Sequence, residues 1–290
     1  MVSVIIATYR RESALARAIE SVLNQTYGDI EIIVVDDNAD AEWNEKVKSI
    51  VERFKGVKYI QNPENKGSGD SRNVGIENAE GEYITFLDDD DVYLPEKVEH
   101  QLYELIKSEA DFSVTDLFLY NENEKLVDKR IRSYINSYNK DELFINHLMH
   151  HITGTDTLMF KKEYLIKIGG FPSIDFGDEF YLMKEAILGG GKFLYTPGCF
   201  VKAYIHYGAE SGLSSGSTKI QGEKDLYQYK KSCFNLIDKK TRRYIICRHH
   251  AVLAFAYLKM KKSVPFLAES AKAFFASPVS CVKILIGKER

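Results

Sequence analysis

Apolar and polar positions alternate along the first half of this chain with two different periods. Val2–Ala7, Ile30–Val35, Val57–Ile60 and Tyr83–Leu87 are short, apolar runs rich in β-branched residues, the pattern of strands buried on both faces. Between them apolar residues recur at helical spacing. Residues 12–26 carry Leu15, Ala18, Ile19, Val22 and Leu23, and Trp43–Phe54 carries Val47, Ile50, Val51 and Phe54. A glycine-containing loop over Lys66–Asp70 leads into a short helix at Ser71–Asn78. Pro95 opens another helix, with Val98, Leu102, Leu105 and Ile106 on one side. Alternating strands and helices of this kind predict an α/β fold with a parallel sheet covered on both faces. The second half is less regular. Asp111–Leu119 and Thr155–Phe160 read as strands around a helical stretch at Lys140–His151. Helices follow at Lys161–Ile168 and Asp178–Leu188, and two short strands at Phe193–Tyr195 and Val201–His206. After the Ser/Gly-rich loop Gly208–Ser217 everything reads helical, notably Tyr244–Lys262 and Val264–Phe275.

In open parallel sheets ligands sit beyond the carboxyl ends of the strands. That rule lines up Thr8-Tyr9, Asp36-Asp37 and Asp88–Asp91 on one rim. Four consecutive aspartates directly after a buried strand repel one another, and a hard divalent cation such as Mg²⁺ or Mn²⁺ relieves the conflict. The alternative is a solvated acidic loop in front of the helix that starts at Pro95.

These stretches carry a family resemblance. Val4-Ile5-Ile6-Ala7-Thr8-Tyr9, Val34-Val35-Asp36-Asp37, Asn65-Lys66-Gly67 through Ser71-Arg72-Asn73, and Phe86-Leu87-Asp88-Asp89-Asp90-Asp91 resemble, in order and spacing, the signature series of family 2 glycosyltransferases. The match covers about the first 115 residues and continues more loosely to about Ser215. The resemblance implies a GT-A fold: a Rossmann-like mixed, mostly parallel sheet flanked by helices, here with a C-terminal helical extension. It also implies a nucleotide-sugar donor. Thr8 and Tyr9 would contact the nucleoside, Asp37 the uracil N3–H, and Arg72 the base or diphosphate. Asp88 and Asp89 would lie on the sugar-nucleotide side, and Asp90 on a Mn²⁺ or Mg²⁺ ion. His206 would reach the metal or diphosphate, a surface histidine being the alternative. The family's Glu-Asp pair is replaced by Gly177-Asp178-Glu179, so Asp178 is the expected general base and Glu179 the alternative. Ala7 stands where a proline is usual and Arg10 where an asparagine is common.

The expected activity is an inverting hexosyltransferase. It would move one sugar from a UDP-sugar to a carbohydrate or lipid-linked acceptor in the assembly of capsule, cell wall or another surface polysaccharide. A nucleotidyltransferase lacks its usual cue, because Ala7-Thr8-Tyr9-Arg10-Arg11 contains no Gly-rich triphosphate loop; a non-catalytic nucleotide- or cation-binding scaffold is the other alternative. Residues 1–115 would form the donor subdomain, 116–216 the acceptor subdomain and 217–290 a basic helical tail.

Charge sharpens the picture of the tail. From Lys239 to Arg290 there are 12 basic residues against two acids, +10, while the overall charge is only −3, leaving −13 for the rest. Such a tail suits an anionic partner such as a membrane surface, or is a solvated helical face. Nucleic acid is not an expected partner. The aromatics Phe255, Tyr257, Phe266, Phe274 and Phe275 read as helix core, or with the neighbouring lysines as an interfacial face. His147, His150 and His151 read as a helix surface near the acceptor cleft. Four widely spaced cysteines form neither a zinc motif nor a disulfide framework, the N-terminus has no basic leader, and no apolar run approaches the ~20 residues of a membrane span. The expected location is cytoplasmic, at the inner face of a membrane.

Overall fold

A computed structural model describes residues 1–174, 176–206 and 216–285. Contacts divide the chain into two units, residues 1–144 with 152–207, and residues 145–151 with 208–290.

The first unit is built on a nine-stranded sheet. Its strands are β1 (Val2–Thr8), β2 (Ile30–Asp36), β3 (Val57–Gln61), β4 (Tyr83–Phe86), β5 (Val92–Tyr93), β6 (Phe112–Asn121), β7 (Leu126–Arg130), β8 (Leu158–Lys161) and β9 (Phe193–Ile205). They lie in the order β3-β2-β1-β4-β8-β6-β9-β5, with β7 paired to β6. The first four strands run parallel, β8 and β5 are antiparallel to their neighbours, and β9 is parallel to β6. This is the mixed, mostly parallel α/β sheet expected from the apolar runs.

Each face of the sheet is covered by helices whose apolar stripes were legible. Val4 and Ile6 of β1 share a core with Leu15, Ala18 and Ile19 of α1 (Ser13–Leu23) and with Val98, Leu102 and Leu105 of α4 (Lys97–Lys107). On the opposite face Ile5 meets α3 (Ser68–Asn78), which approaches so closely that a Cβ on Gly75 would lie 2.4 Å from Ile5 Cγ2. Helix α2 (Ala41–Val51) starts where the Asp40 carboxylate accepts from the Glu42 and Trp43 amides, an N-cap that satisfies two orphan donors. The remaining helices of this unit are α5 (Lys140–His150), whose end belongs with the second unit, α6 (Lys162–Lys167) and α7 (Asp178–Leu188).

Four elements differ from the sequence expectation. The two short strands at 193–195 and 201–206 are one strand, β9, in which the extra residues Pro197 and Gly198 form a bulge opposite Thr115 and Asp116. Strands β5 and β7 were not foreseen, the first being two residues long and the second largely exposed and charged. Residues Thr155–Thr157 form a 3₁₀ turn, so β8 begins only at Leu158.

The second unit is helical, as expected: α8 (Gly216–Ser232), α9 (Lys239–Lys259), α10 (Ser263–Ala276) and α11 (Pro278–Leu285). Asp238 caps α9 by accepting from the Lys240 and Thr241 amides. The histidines expected on a surface are instead packed inside this unit. His147 is fully buried, His151 pairs with the Lys230 ammonium, and His150 meets the Tyr244 hydroxyl at 3.3 Å. Burial pushes His150 down to about 4 and, with Arg248 nearby, Lys230 down to about 7. The loop Gly208–Ser217 falls almost wholly outside the described residues, as do Ser211, Ser214 and Ser215.

Candidate functional site

The carboxyl ends of β1, β2 and β4 bring together the polar clusters read from the sequence. At the end of β1 the Thr8 hydroxyl donates to Asp89 Oδ2 at 2.7 Å, and the chain turns through a left-handed conformation at Arg10 (φ 52°) whose amide donates to Asn38 Oδ1. Asparagine tolerates that conformation better than arginine does, which fits the residue type common at this place. Tyr9 projects outward, half exposed, with the Arg10 guanidinium over its ring.

At the end of β2, Asp36 and Asp37 divide two tasks. Asp36 is wholly buried and accepts from Asn38 and the Tyr59 hydroxyl. Asp37 anchors the glycine loop: Oδ1 accepts from Asn62 Nδ2 and the Lys66 amide, and Oδ2 from the Gly67 amide, all at 2.8 Å. Gly67 takes φ 84°, a conformation few side chains allow, and so turns the chain into α3.

Helix α3 then delivers Arg72 between two carboxylates. Its guanidinium donates to Asp88 Oδ1 at 2.7 Å and to Asp178 Oδ2 at 3.1 Å, and lies over the Phe171 ring. Burial opposes this charge, but Asp88, Asp178 and Glu179 outweigh it and raise the pKa, so Arg72 is a fixed cation. Asp178 and Glu179 open α7, where the helix N-terminus favours negative charge. Their surroundings distinguish them. Glu179 spends both oxygens on the protein, accepting from the Gly154 amide at 2.9 Å and from the Thr155 hydroxyl. Burial, then the neighbouring Asp178 and Asp88 charges, raise its pKa. Asp178 engages Arg72 and Ser68 through Oδ2 alone, leaving Oδ1 for another partner.

The aspartate run after β4 splits by residue. Asp90 Oδ2 accepts from Arg11 at 2.6 Å and lies 3.0 Å from His206 Nε2, so the two expected metal residues do meet. Asp91 turns the other way, where its Oδ1 accepts the Tyr204 amide, and with Asp88 and Asp156 it forms a carboxylate cluster whose oxygens lie within 4.8 Å of one another. Asp156 also accepts the Asp88 amide at 2.6 Å. Burial and the crowded charges push Asp156 up to about 8 and Asp91 well above the usual carboxylate range; burial, with Asp90 beside it, brings Asp89 to about 7 despite the Thr8 hydrogen bond and Arg11. All-oxygen donors at this spacing suit Mg²⁺ or Mn²⁺, and a divalent cation would discharge the repulsion that raises these groups.

Several contributors had no sequence signal. Asp156 is a lone acid in a Thr-rich turn, and Asn62 and Tyr204 act through the loops they hold. Lys97 is wholly buried behind the aspartate loop, donating to the Thr85 and Tyr93 hydroxyls, while Tyr93 donates to the Phe86 carbonyl at the end of β4. Burial drives its pKa far down, with Asp156 pulling the other way.

An α/β sheet with an acidic loop and a polar cluster at its carboxyl edge is the architecture of GT-A glycosyltransferases, and the solved structures it resembles share that fold. S. aureus TarS residues 1–349, in complex with UDP-GlcNAc, superposes with a TM-score of 0.60 at 16% identity, covering 94% of this chain and 91% of that one. The mannosyltransferase PcManGT from Pyrobaculum calidifontis, in complex with GDP-Man and Mn²⁺, gives 0.57 at 16% identity over 99% of this chain and 79% of that one. The family model of glycosyl transferase family 2 matches residues 3–169, more than half of the chain, and the chain belongs to that family. Among curated relatives, an uncharacterized glycosyltransferase of Haemophilus influenzae is 37% identical over 122 residues, 40% of this chain and 49% of the relative. WfgD of Escherichia coli, named as a UDP-Glc:α-D-GlcNAc-diphosphoundecaprenol β-1,3-glucosyltransferase, is 32% identical over 140 residues, 48% of this chain and 54% of WfgD. The chain thus spans about half the length of these two relatives.

Proposed function

We propose that the chain is an inverting glycosyltransferase that moves a single sugar from a UDP-sugar to a carbohydrate or lipid-linked acceptor in surface polysaccharide assembly. The observation that carries this reading is the convergence of the Asp37-anchored loop, the aspartate run and the Arg72–Asp178 pair at one sheet edge. Thr8, Tyr9 and the Asp37 loop receive the nucleoside, the open face of Tyr9 giving the base an apolar platform. Arg72 and Asp88 take the diphosphate–sugar end together with Asp89. Residues 1–115 supply this donor half, residues 116–216 the acceptor half, and 217–290 a basic tail.

Asp178 acts as general base through Oδ1. The acceptor hydroxyl oxygen attacks the anomeric carbon, its proton passes to Asp178, and the anomeric C–O bond breaks with its electron pair leaving on the nucleoside diphosphate. Attack opposite the leaving group inverts the anomeric centre. Arg72 holds Asp178 in place through its 3.1 Å contact to Oδ2. The Asp88, Asp91 and Asp156 carboxylates, with the adjoining Asp90–His206 pair, would hold a Mn²⁺ or Mg²⁺ ion; when bound, such an ion stabilises charge developing on the diphosphate. WfgD, named for a UDP-sugar and a lipid-linked acceptor, and TarS, solved with UDP-GlcNAc, support the uridine and acceptor assignments. A cytoplasmic site of action at the inner membrane face suits a lipid-linked acceptor.

Calorimetric titration of UDP, with GDP as competitor, with and without Mn²⁺, tests the donor site. Micromolar-to-millimolar UDP binding that needs metal and disappears in Asp90→Ala is the expected result. Binding of GDP alone would overturn the uridine assignment, and no nucleotide binding under any metal would overturn the donor site.

A further inference from the structure

Helix α10 sits in the second unit with its amphipathic character turned inside out. Its apolar stripe follows helical spacing, Val264, Leu267, Phe274 and Phe275, yet these residues are 80%, 63%, 47% and 79% exposed. The inward side carries Glu269, which accepts from His250 at 2.6 Å, Ser270, and the buried Ala273 packed near Cys247. Helix α11 continues the pattern, with Val279 68% and Leu285 62% exposed while Cys281 is buried. The expectation that Phe274 and Phe275 belong to the helix core is therefore corrected: Ala273 is the buried residue of α10, with Phe266, Glu269 and Ser270 half-buried. The four α10 side chains alone expose on the order of 500 Å² of apolar surface, at the upper end of what soluble monomers leave in contact with water.

Around this stripe the exposed charge is of one sign. Lys259, Lys261 and Lys262 stand at the turn between α9 and α10, Lys272 lies on α10, and Lys283 on α11. The single acid on the two helices, Glu269, is turned inward and spent on His250 and Lys272. A second copy docked on this face would set lysines against lysines, whereas an anionic bilayer supplies both acyl chains for the stripe and phosphates for the rim. No helix among the described residues is long and apolar enough to cross a membrane, so α10 would lie in the interface rather than span it.

We propose that α10 and α11 form a monotopic docking surface for an anionic lipid bilayer, with the α10 stripe inserted among the acyl chains and the lysines at headgroup level. This surface lies wholly in the helical unit and owes nothing to the donor site.

The test is co-sedimentation of the full chain with vesicles of phosphatidylcholine alone or mixed with phosphatidylglycerol, across a salt series. The wild type is expected to sediment with the anionic vesicles, and Leu267→Glu/Phe275→Glu to lose binding at least tenfold. Because both positions are exposed, circular dichroism should show an unchanged fold. In a Trp43→Phe background, which removes the only tryptophan, Phe275→Trp should shift its emission to the blue when anionic vesicles are added. Absence of binding at low salt, an unshifted Trp emission, or equal binding by the double variant would overturn the proposal. So would a concentration-dependent dimer that the same variant dissolves, which would make a second copy the occupant. UDP titration of the double variant separates the two readings: it should match the wild type, and a wild type that binds vesicles but no nucleotide would sink only the transferase assignment.

Discussion

Replacing Asp156 with asparagine should make the metal-free protein more stable while weakening its response to metal. Asp156 is buried, held up at about 8, and crowded by Asp88 and Asp91. Because the folded carboxyl is harder to ionise than the unfolded one, its contribution to stability is fully present below about pH 4. It is lost as pH rises through about 8. A displacement of roughly four units corresponds to ~6 kcal/mol at 1.36 kcal/mol per unit. Burial is the main cause and the Asp88 charge the next, and asparagine still buries a polar side chain, so removing the charge should recover on the order of half, ~3 kcal/mol. Asparagine keeps an oxygen for the Asp88 amide, which Asp156 now binds at 2.6 Å, and adds an N–H₂ that can donate to Asp91. For a domain of this size ~3 kcal/mol means a melting temperature higher by about 6–12 °C. Thermal melts in EDTA at pH 8.5 should show that gap, and at pH 5 it should narrow to well under half. Adding Mn²⁺ at a hundredfold excess over its Kd should raise the wild type by ~2.7 kcal/mol and the variant by clearly less. A variant that melts at or below the wild type in EDTA at pH 8.5 would refute the reasoning, as would a gap that does not narrow at pH 5.

Three further predictions rest on neighbouring features. Asp178→Asn should cut kcat by about 10²–10⁴-fold while leaving UDP affinity within a factor of two, read by turnover and calorimetry once a donor is known; full turnover would remove Asp178 as the base. Glu179→Gln should act mainly on stability, because the carboxamide keeps one acceptor for the Gly154 amide and must meet Thr155 with its N–H₂, losing two charge-assisted bonds for about 1 kcal/mol in urea melts and a smaller effect on kcat. Gly75→Ala should destabilise by about 1–3 kcal/mol in the same melts, since its methyl would overlap Ile5 at the α3–β1 contact.

The strands and helices of the first 115 residues were legible because they are long, periodic and buried. Val2–Ala7, Ile30–Val35 and Tyr83–Leu87 could be little other than strands of a doubly covered sheet, and their ends placed Thr8, Asp37 and Asp88 on one rim. What escaped was short or contextual. β5 is two residues long and shows no period, and β7, with Asp128, Lys129 and Arg130, is an edge strand without an apolar face. Pro197-Gly198 reads as a break, yet the strand passes through it by bulging. Asp156 could not be singled out, since its role arises from the 3₁₀ turn that folds it against the Asp88 amide. Helix α10 was recognised from its spacing, but spacing says only that a helix has an apolar side; which side meets protein depended on Glu269 finding His250.

The clamp that β9 places on the aspartate loop has a consequence for the order in which this site comes into being. Val92 and Tyr93 pair with Lys202 and Val201, Leu94 donates to the Phe200 carbonyl, and the Tyr204 amide holds Asp91. All four signature stretches therefore leave the ribosome about a hundred residues before the segment that fixes the acidic loop between them. During synthesis the nascent chain carries every motif before it has the strand that clamps the loop, so the loop's geometry is completed only when the final strand docks. A fragment ending near residue 190 would look complete to a motif search while lacking the strand that holds the loop.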